Sequence, residues 1–134
     1  PVSQVRERTL AIRARKGMVL SESDHDSWSA GSFFINPSVT PDVAASLPED
    51  APKWPNADGS VKLSAAWLLE RSGIAKGERL GGAGISTKHV LAITNASGAT
   101  SSEILDLARR CQMAVENTFG IVLMPEVQLI GATL

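Results

Sequence analysis

Ser29-Ala30-Gly31-Ser32-Phe33-Phe34-Ile35-Asn36-Pro37 is the stretch on which the reading of this chain turns. A turn of small residues delivers one hydroxyl, that of Ser32, into two aromatics, and Asn36-Pro37 closes the run. Gly31 lets the backbone bend, or approach another group, with no Cβ in the way. In a strand, Phe33 and Phe34 would anchor the segment on opposite faces, while Ser32 and Asn36 would share one face. Two uses fit these residues. One is a tight turn entering a buried strand; the other is a fixed backbone that holds a serine hydroxyl at its edge for proton delivery.

A second segment near the C-terminus, Ile121-Val122-Leu123-Met124-Pro125-Glu126-Val127-Gln128-Leu129-Ile130-Gly131, sets one carboxylate inside an apolar, strand-like run. A carboxylate among apolar neighbours is costly unless paired or hydrogen-bonded, so Glu126 is a candidate acid or charge stabiliser. It also fits an outward-facing position on an edge strand, where Pro125 is tolerated and where Glu126 falls out of phase with Val127 and Leu129.

Working outward, the 134 residues make one domain with a single core. Hydrophobic content of 43% and charged content of 20% are ordinary for a globular protein. A net charge of −1 gives no electrostatic case for nucleic acid. No apolar run is long enough to span a membrane. The lone Cys111 cannot form an internal disulfide, which fits a reducing, cytoplasmic setting. His25 and His89 are far apart, and no cysteine–histidine cluster predicts a metal.

Spacing of apolar residues over 2–16 predicts an amphipathic helix ended by Gly17, and Met18 to Leu20 reads as a short strand. Pro41 opens a short helix over Val43 to Leu47. Residues 48–60, with three prolines and an Asp58-Gly59 turn, read as a loop centred on Trp54, either a hydrophobic staple or a ligand-covering flap, mobile without ligand. Lys62 to Ser72 reads as a helix capped by Gly73, and the glycine-rich 74–84 as a flexible connector. Val90 to Thr94 reads as a strand. Thr100-Ser101-Ser102-Glu103 is a capping box for a helix running to about Phe119, stopped by Gly120. Short strands mixed with three or four helices, without βαβ alternation, predict an α+β fold: a short, mostly antiparallel sheet packed against the helices.

Taken together, the G-S-F-F-x-N-P segment and the late P-E-V-x-x-I-G segment resemble the UDP-N-acetylenolpyruvoylglucosamine reductase (MurB) family, type I branch, in which a tyrosine-bearing loop follows the serine strand. The likeness extends through Ile12 to Leu20 (I-R-A-R-K-G-M-V-L), Asp58 to Glu70 (D-G-S-V-K-L-S-A-A-W-L-L-E), Lys76-Gly77, Gly81-Gly82-Ala83 and Asn95, all in register. The family's enzymes are roughly two to three times as long, at one domain per ~100–200 residues. Residues 1–134 therefore resemble the C-terminal substrate-binding domain alone, without the flavin-binding region. The start at Pro1 rather than Met suits an excised piece or a proteolytic fragment.

The resemblance implies a reaction in which NADPH reduces FAD and the reduced flavin passes hydride to UDP-GlcNAc-enolpyruvate, giving UDP-N-acetylmuramate for peptidoglycan. It implies Ser32 as proton donor and Glu126 as stabiliser of the intermediate, with the catalytic arginine in the missing region. It implies Lys16, Asn36, Trp54, Lys76 and His89 as substrate contacts. Trp54 stands in place of the loop tyrosine, keeping a stacking surface but offering only an indole N–H. His89 stands where some members carry glutamine. The expected partners are the substrate and the absent flavin-binding domains; the alternative is a stand-alone UDP-sugar binding module without catalysis.

Overall fold

A computed structural model describes residues 1–134. Four helices and seven short strands form an α+β fold, as the element pattern predicts, but the strands build two antiparallel sheets. The first sheet holds β1 (Ser29–Ser32), β7 (Ala92–Asn95), β6 (Ala83–Ile85) and β5 (Arg79–Leu80), in that spatial order. The second holds β2 (Ser38–Val39), β4 (Val61–Leu63) and β3 (Lys53–Pro55). Their helices are α1 (Val2–Arg15), α2 (Pro41–Ser46), α3 (Ala65–Arg71) and α4 (Ser101–Phe119).

Helix α4 organises the core. Leu107, Ala108, Cys111 and Val115 recur at helical spacing and are fully buried against the first sheet and α3. Its start is a complete capping box: Thr100 Oγ1 accepts the Glu103 amide, and Glu103 accepts the Thr100 amide. Gly120, in the left-handed region at φ 67°, ends it. Leu68 and Leu69 of α3 join Leu107, Leu123 and Phe34 in the same cluster. Trp67 of α3 and Phe119 of α4 meet with ring centroids 5.6 Å apart. Burial of Cys111 pushes its thiol up to about 12, so it is an inert core residue.

Several sequence expectations are corrected. The helix expected from Lys62 begins at Ala65, because Val61–Leu63 pairs as a central strand and Ser64 is the cap, accepting the Trp67 amide. Trp54 lies on β3 opposite Lys62, not on a free loop. The glycine-rich 74–84 segment is the β5–β6 hairpin. Its Gly82 is required by close approach, since a Cβ there would lie 2.7 Å from the Ala99 backbone. Met18 to Leu20 forms no strand, and α1 forms but buries none of its residues, so its apolar positions make no core face. The strand expected at Val90 starts at Ala92.

Glu126 does not lie in a strand either. A single bridge pairs Phe34 with Pro125, flanked by Ile35 N–H to Met124 C=O (3.0 Å) and Glu126 N–H to Phe33 C=O (2.8 Å). Pro125 has no N–H to extend that ladder. Phe33 and Phe34 both turn into the core, their rings edge to face at 5.1 Å, rather than anchoring opposite faces.

Candidate functional site

The bend supplied by Gly31 is a β-bulge. β1 pairs Ser29 with Thr94 and Ser32 with Ala92, so β1 spends one more residue than β7 between those two pairs. Gly31 sits at φ 89°, a conformation a side chain disfavours, with open space around it. A bulge re-aims the side chain that follows it, here Ser32. On its far side the Phe33 carbonyl is held by the Glu126 amide. The two chemical groups singled out from sequence are thereby brought together: Ser32 and Glu126 line one cavity of about 490 Å³, with Arg13, Gly31 and Gln128. Ser32 is half-buried and Glu126 exposed, and neither side chain makes a hydrogen bond or ion pair within the chain.

Three expected substrate contacts gather electrostatically. His89 is half-buried, and its pKa lies below the ordinary imidazole value of 6.5 because of burial first, then Lys16 and Lys76, with Glu70 opposing. Its Nδ1 accepts the Leu91 amide at 3.2 Å, which leaves Nε2 as the N–H donor. A neutral histidine fixed in this way offers a donor much as a glutamine amide does. Lys76 is shared with Glu70 across 3.4 Å of solvent-exposed surface, and Lys16 follows α1 directly.

Asn36 departs from its expected placement. The strand ends at Ser32, so the two do not share a strand face. The Asn36 Oδ1 accepts the Ala65 amide at 2.9 Å, holding the first turn of α3. Only its Nδ2 remains for a ligand. Trp54 is 49% exposed on the outer face of the second sheet, where its ring is open to stacking. The most voluminous hollow, about 670 Å³ between Ser38–Thr40, Asp58–Ser60 and Gly120–Val122, contains none of these residues.

Arg13 is the site residue that sequence reading missed. Its place three positions before Lys16 in the basic segment was the available signal.

The family model for "UDP-N-acetylenolpyruvoylglucosamine reductase, C-terminal domain" matches residues 23–130. The chain belongs to the UDP-N-acetylenolpyruvoylglucosamine reductase family. Among curated relatives, the reductase of Cutibacterium acnes is 53% identical over 98% of this chain and 35% of its own length. That of Mycobacterium tuberculosis is 52% identical over 97% of this chain and 38% of its own. The crystal structure of the reductase (MurB) from Thermus caldophilus superposes with a TM-score of 0.51 at 28% identity, covering 96% of this chain and 35% of that one. The chain thus spans little more than a third of the relatives it matches. No helix is long and apolar enough to cross a membrane.

Proposed function

We propose that residues 1–134 act as the substrate domain of a cytoplasmic, FAD-dependent reductase that converts UDP-N-acetylglucosamine enolpyruvate to UDP-N-acetylmuramate, with NADPH as reductant, in peptidoglycan synthesis. The observation that carries this is the meeting of Ser32 and Glu126, distant in sequence and free of internal partners, in one cavity of a chain from this family.

A reduced flavin supplies hydride in this reading, bound mainly by the part of the longer relatives that this chain does not span. The glycines of the β5–β6 turn are packed against Ala99 and Glu103, not open to a phosphate. The remaining two-thirds of the longer enzymes would hold it.

This chain's own residues supply the other half of the chemistry. Hydride adds to the methylene carbon of the enol ether, and the electron pair of the double bond moves to the adjacent carbon and its carboxylate. Ser32 Oγ–H delivers the proton to that carbon and is reprotonated from solvent, leaving a saturated lactyl ether. A positioned acid contributes about 10²–10⁴-fold to such a step. Glu126, in the same cavity, would stabilise the charge developing on the substrate's carboxylate. Lys16, Lys76 and the His89 Nε2–H would hold the diphosphate, and Trp54 would stack on the ligand.

Ser32→Ala in the full-length enzyme is expected to lower substrate-dependent reoxidation by about 10²–10⁴-fold while NADPH-dependent reduction stays fast. Rapid-mixing absorbance at the flavin band separates the two. If both half-reactions stay fast, Ser32 is not the donor; if this chain alone binds UDP-GlcNAc at micromolar affinity, the stand-alone binding module is the better description.

A further inference from the structure

We propose that Glu70 is an electrostatic gate on Lys76: it engages the lysine in the free protein and yields it to the diphosphate of an arriving ligand. The inference deepens the function proposed above and rests on it, since it takes Lys76 as a diphosphate contact.

The argument begins with the end of α3. Glu70 stands in the last turn of that helix, where the helix dipole disfavours an acid. Its neighbour Arg71 turns away to pair with Asp50, with its guanidinium 5.5 Å over the Trp67 ring. The partner of Glu70 comes instead from beyond the helix. Gly73, at φ 85°, puts its amide 3.3 Å from the Glu70 carbonyl, and the buried Ile74 binds the Leu69 carbonyl at 3.1 Å. Gly77 closes the turn with its amide on the Ile85 carbonyl at 3.0 Å. Lys76 is carried back over α3 by this turn, and its Nζ lies 3.4 Å from Glu70 Oε1.

Lys16, Lys76 and Glu70 all act on the half-buried His89: the two lysines hold its pKa down and Glu70 opposes them. Of the two lysines, Lys76 has a carboxylate partner and Lys16 has none. The side chains of Lys76 and Glu70 are 47% and 49% exposed, so their pair is weak and readily exchanged. A diphosphate offers Lys76 more charge than one carboxylate does. To take the lysine it must displace Glu70 and then tolerate the repulsion of that carboxylate. Both effects lower affinity for the ligand and neither touches the proton transfer at Ser32. Substrate and product carry the same diphosphate, so a contact that is held in exchange also lets the product leave. Glu70 is thus a positioning residue that acts through Lys76.

The test uses the full-length reductase with Glu70→Gln, Lys76→Gln and the two combined, and calorimetry of UDP-N-acetylmuramate. Glu70→Gln is expected to tighten binding about two- to fivefold, the worth of an exposed ion pair. Lys76→Gln is expected to weaken it about tenfold, and in its presence Glu70→Gln should have no further effect. The KM for the enolpyruvyl substrate should fall with the Kd in Glu70→Gln, while flavin reduction by NADPH stays unchanged. The urea midpoint of Glu70→Gln should not fall, because an acid is removed from the negative end of a helix.

Unchanged or weaker binding in Glu70→Gln would make Glu70 a brace for Lys76. Tightening of equal size in the Lys76→Gln background would make it a remote repulsive charge. Either result overturns the gate and leaves the reductase reading standing. Wild-type affinity in Lys76→Gln would remove Lys76 from the diphosphate site and overturn the gate at its base. A wild-type enzyme that binds the product but never reduces the enolpyruvate would overturn the reductase reading itself.

Discussion

Asp26, in the short 3-10 helix His25–Ser27, and Glu126, in the C-terminal loop, are both carboxylates beside the first sheet, and their surroundings are opposite. Asp26 is nearly buried and fully engaged: it accepts from Ser86 Oγ at 3.0 Å, the Thr87 amide at 2.8 Å and Thr87 Oγ1 at 3.2 Å, with Lys88 Nζ 4.0 Å away. It fastens the 24–28 segment onto the turn before β7. Glu126 has only its backbone engaged, and its side chain enters a cavity unpaired. A carboxylate held by three hydrogen bonds to one turn holds structure together. One whose lone pairs are free, next to a bulge-aimed serine and an unpaired arginine, is available for a ligand. The difference between a brace and a reactive group lies in the partners, since the residue types are nearly the same.

The largest expected effect tests the free acid. Glu126→Gln in the full-length enzyme should slow substrate reduction by about 10²–10³-fold, the loss expected when one stabilising group is removed from a developing anion. It should change unfolding free energy by no more than about 0.5 kcal/mol, because no side-chain contact is lost. Rapid mixing and urea denaturation measure the two. A stability loss as large as that of a core substitution would mean Glu126 is a second brace.

The engaged acid should behave in the converse way. Asp26→Ala strands the hydroxyls of Ser86, which is fully buried, and of Thr87, and removes the Lys88 pair. The expected cost is about 1–3 kcal/mol of stability. Flavin reduction by NADPH should be untouched. If Asp26→Ala melts like the wild type, the contrast between the two acids fails at its structural end.

What the sequence made legible divides along the same line. Features written in adjacent residues were readable: the Thr100–Glu103 box, the Gly120 stop and the small-residue bend before Ser32 are local devices, and the structure realises each of them. Features that depend on residues far apart were not. Leu63 looks like the first apolar position of a helix, and only its pairing with Lys53 across β3–β4 makes it a strand residue. Asn36 reads as a free polar group until Ala65, distant in sequence, takes its oxygen. Glu126 reads as a strand residue because its neighbours alternate, but Pro125 limits that pairing to one bridge. Arg13 was hidden for the same reason: nothing within the basic segment says which of its cations lines the cavity beside β1.

Asn36 lies between the two acids, with one atom committed and one free, and it supplies a finer test. Asn36→Ala removes the acceptor for the Ala65 amide and should cost about 1 kcal/mol. Asn36→Asp keeps that acceptor and should restore the stability, yet it deletes the Nδ2 donor and brings a negative charge near the expected diphosphate. UDP-sugar binding by the full-length enzyme is then expected to weaken about tenfold in Asn36→Asp. If the aspartate variant binds as tightly as the wild type, Asn36 is only a fastener for α3, and the list of ligand contacts loses it.

His89 is divided in the same manner and gives the smallest effect, one read by titration. Its Nδ1 is held by the Leu91 amide, and burial, Lys16 and Lys76 all disfavour a second proton, so the folded protein should titrate it below 6.5. A histidine whose folded pKa is depressed favours the native state while it is neutral. That contribution is present above the unfolded value near 6.5 and disappears as pH falls through the lower folded value. Heteronuclear NMR of the imidazole should therefore show a neutral ring with the proton on Nε2 at pH 7. His89→Gln, which cannot charge, should lose less stability than the wild type on going from pH 7 to pH 5. Because the ring is only partly buried, the shift in urea midpoint should be small but of definite sign. A ring that is already cationic at pH 7 would leave Nδ1 unable to accept from Leu91, and His89 would then join Lys16 and Lys76 as a third positive charge instead of acting as a neutral donor between them.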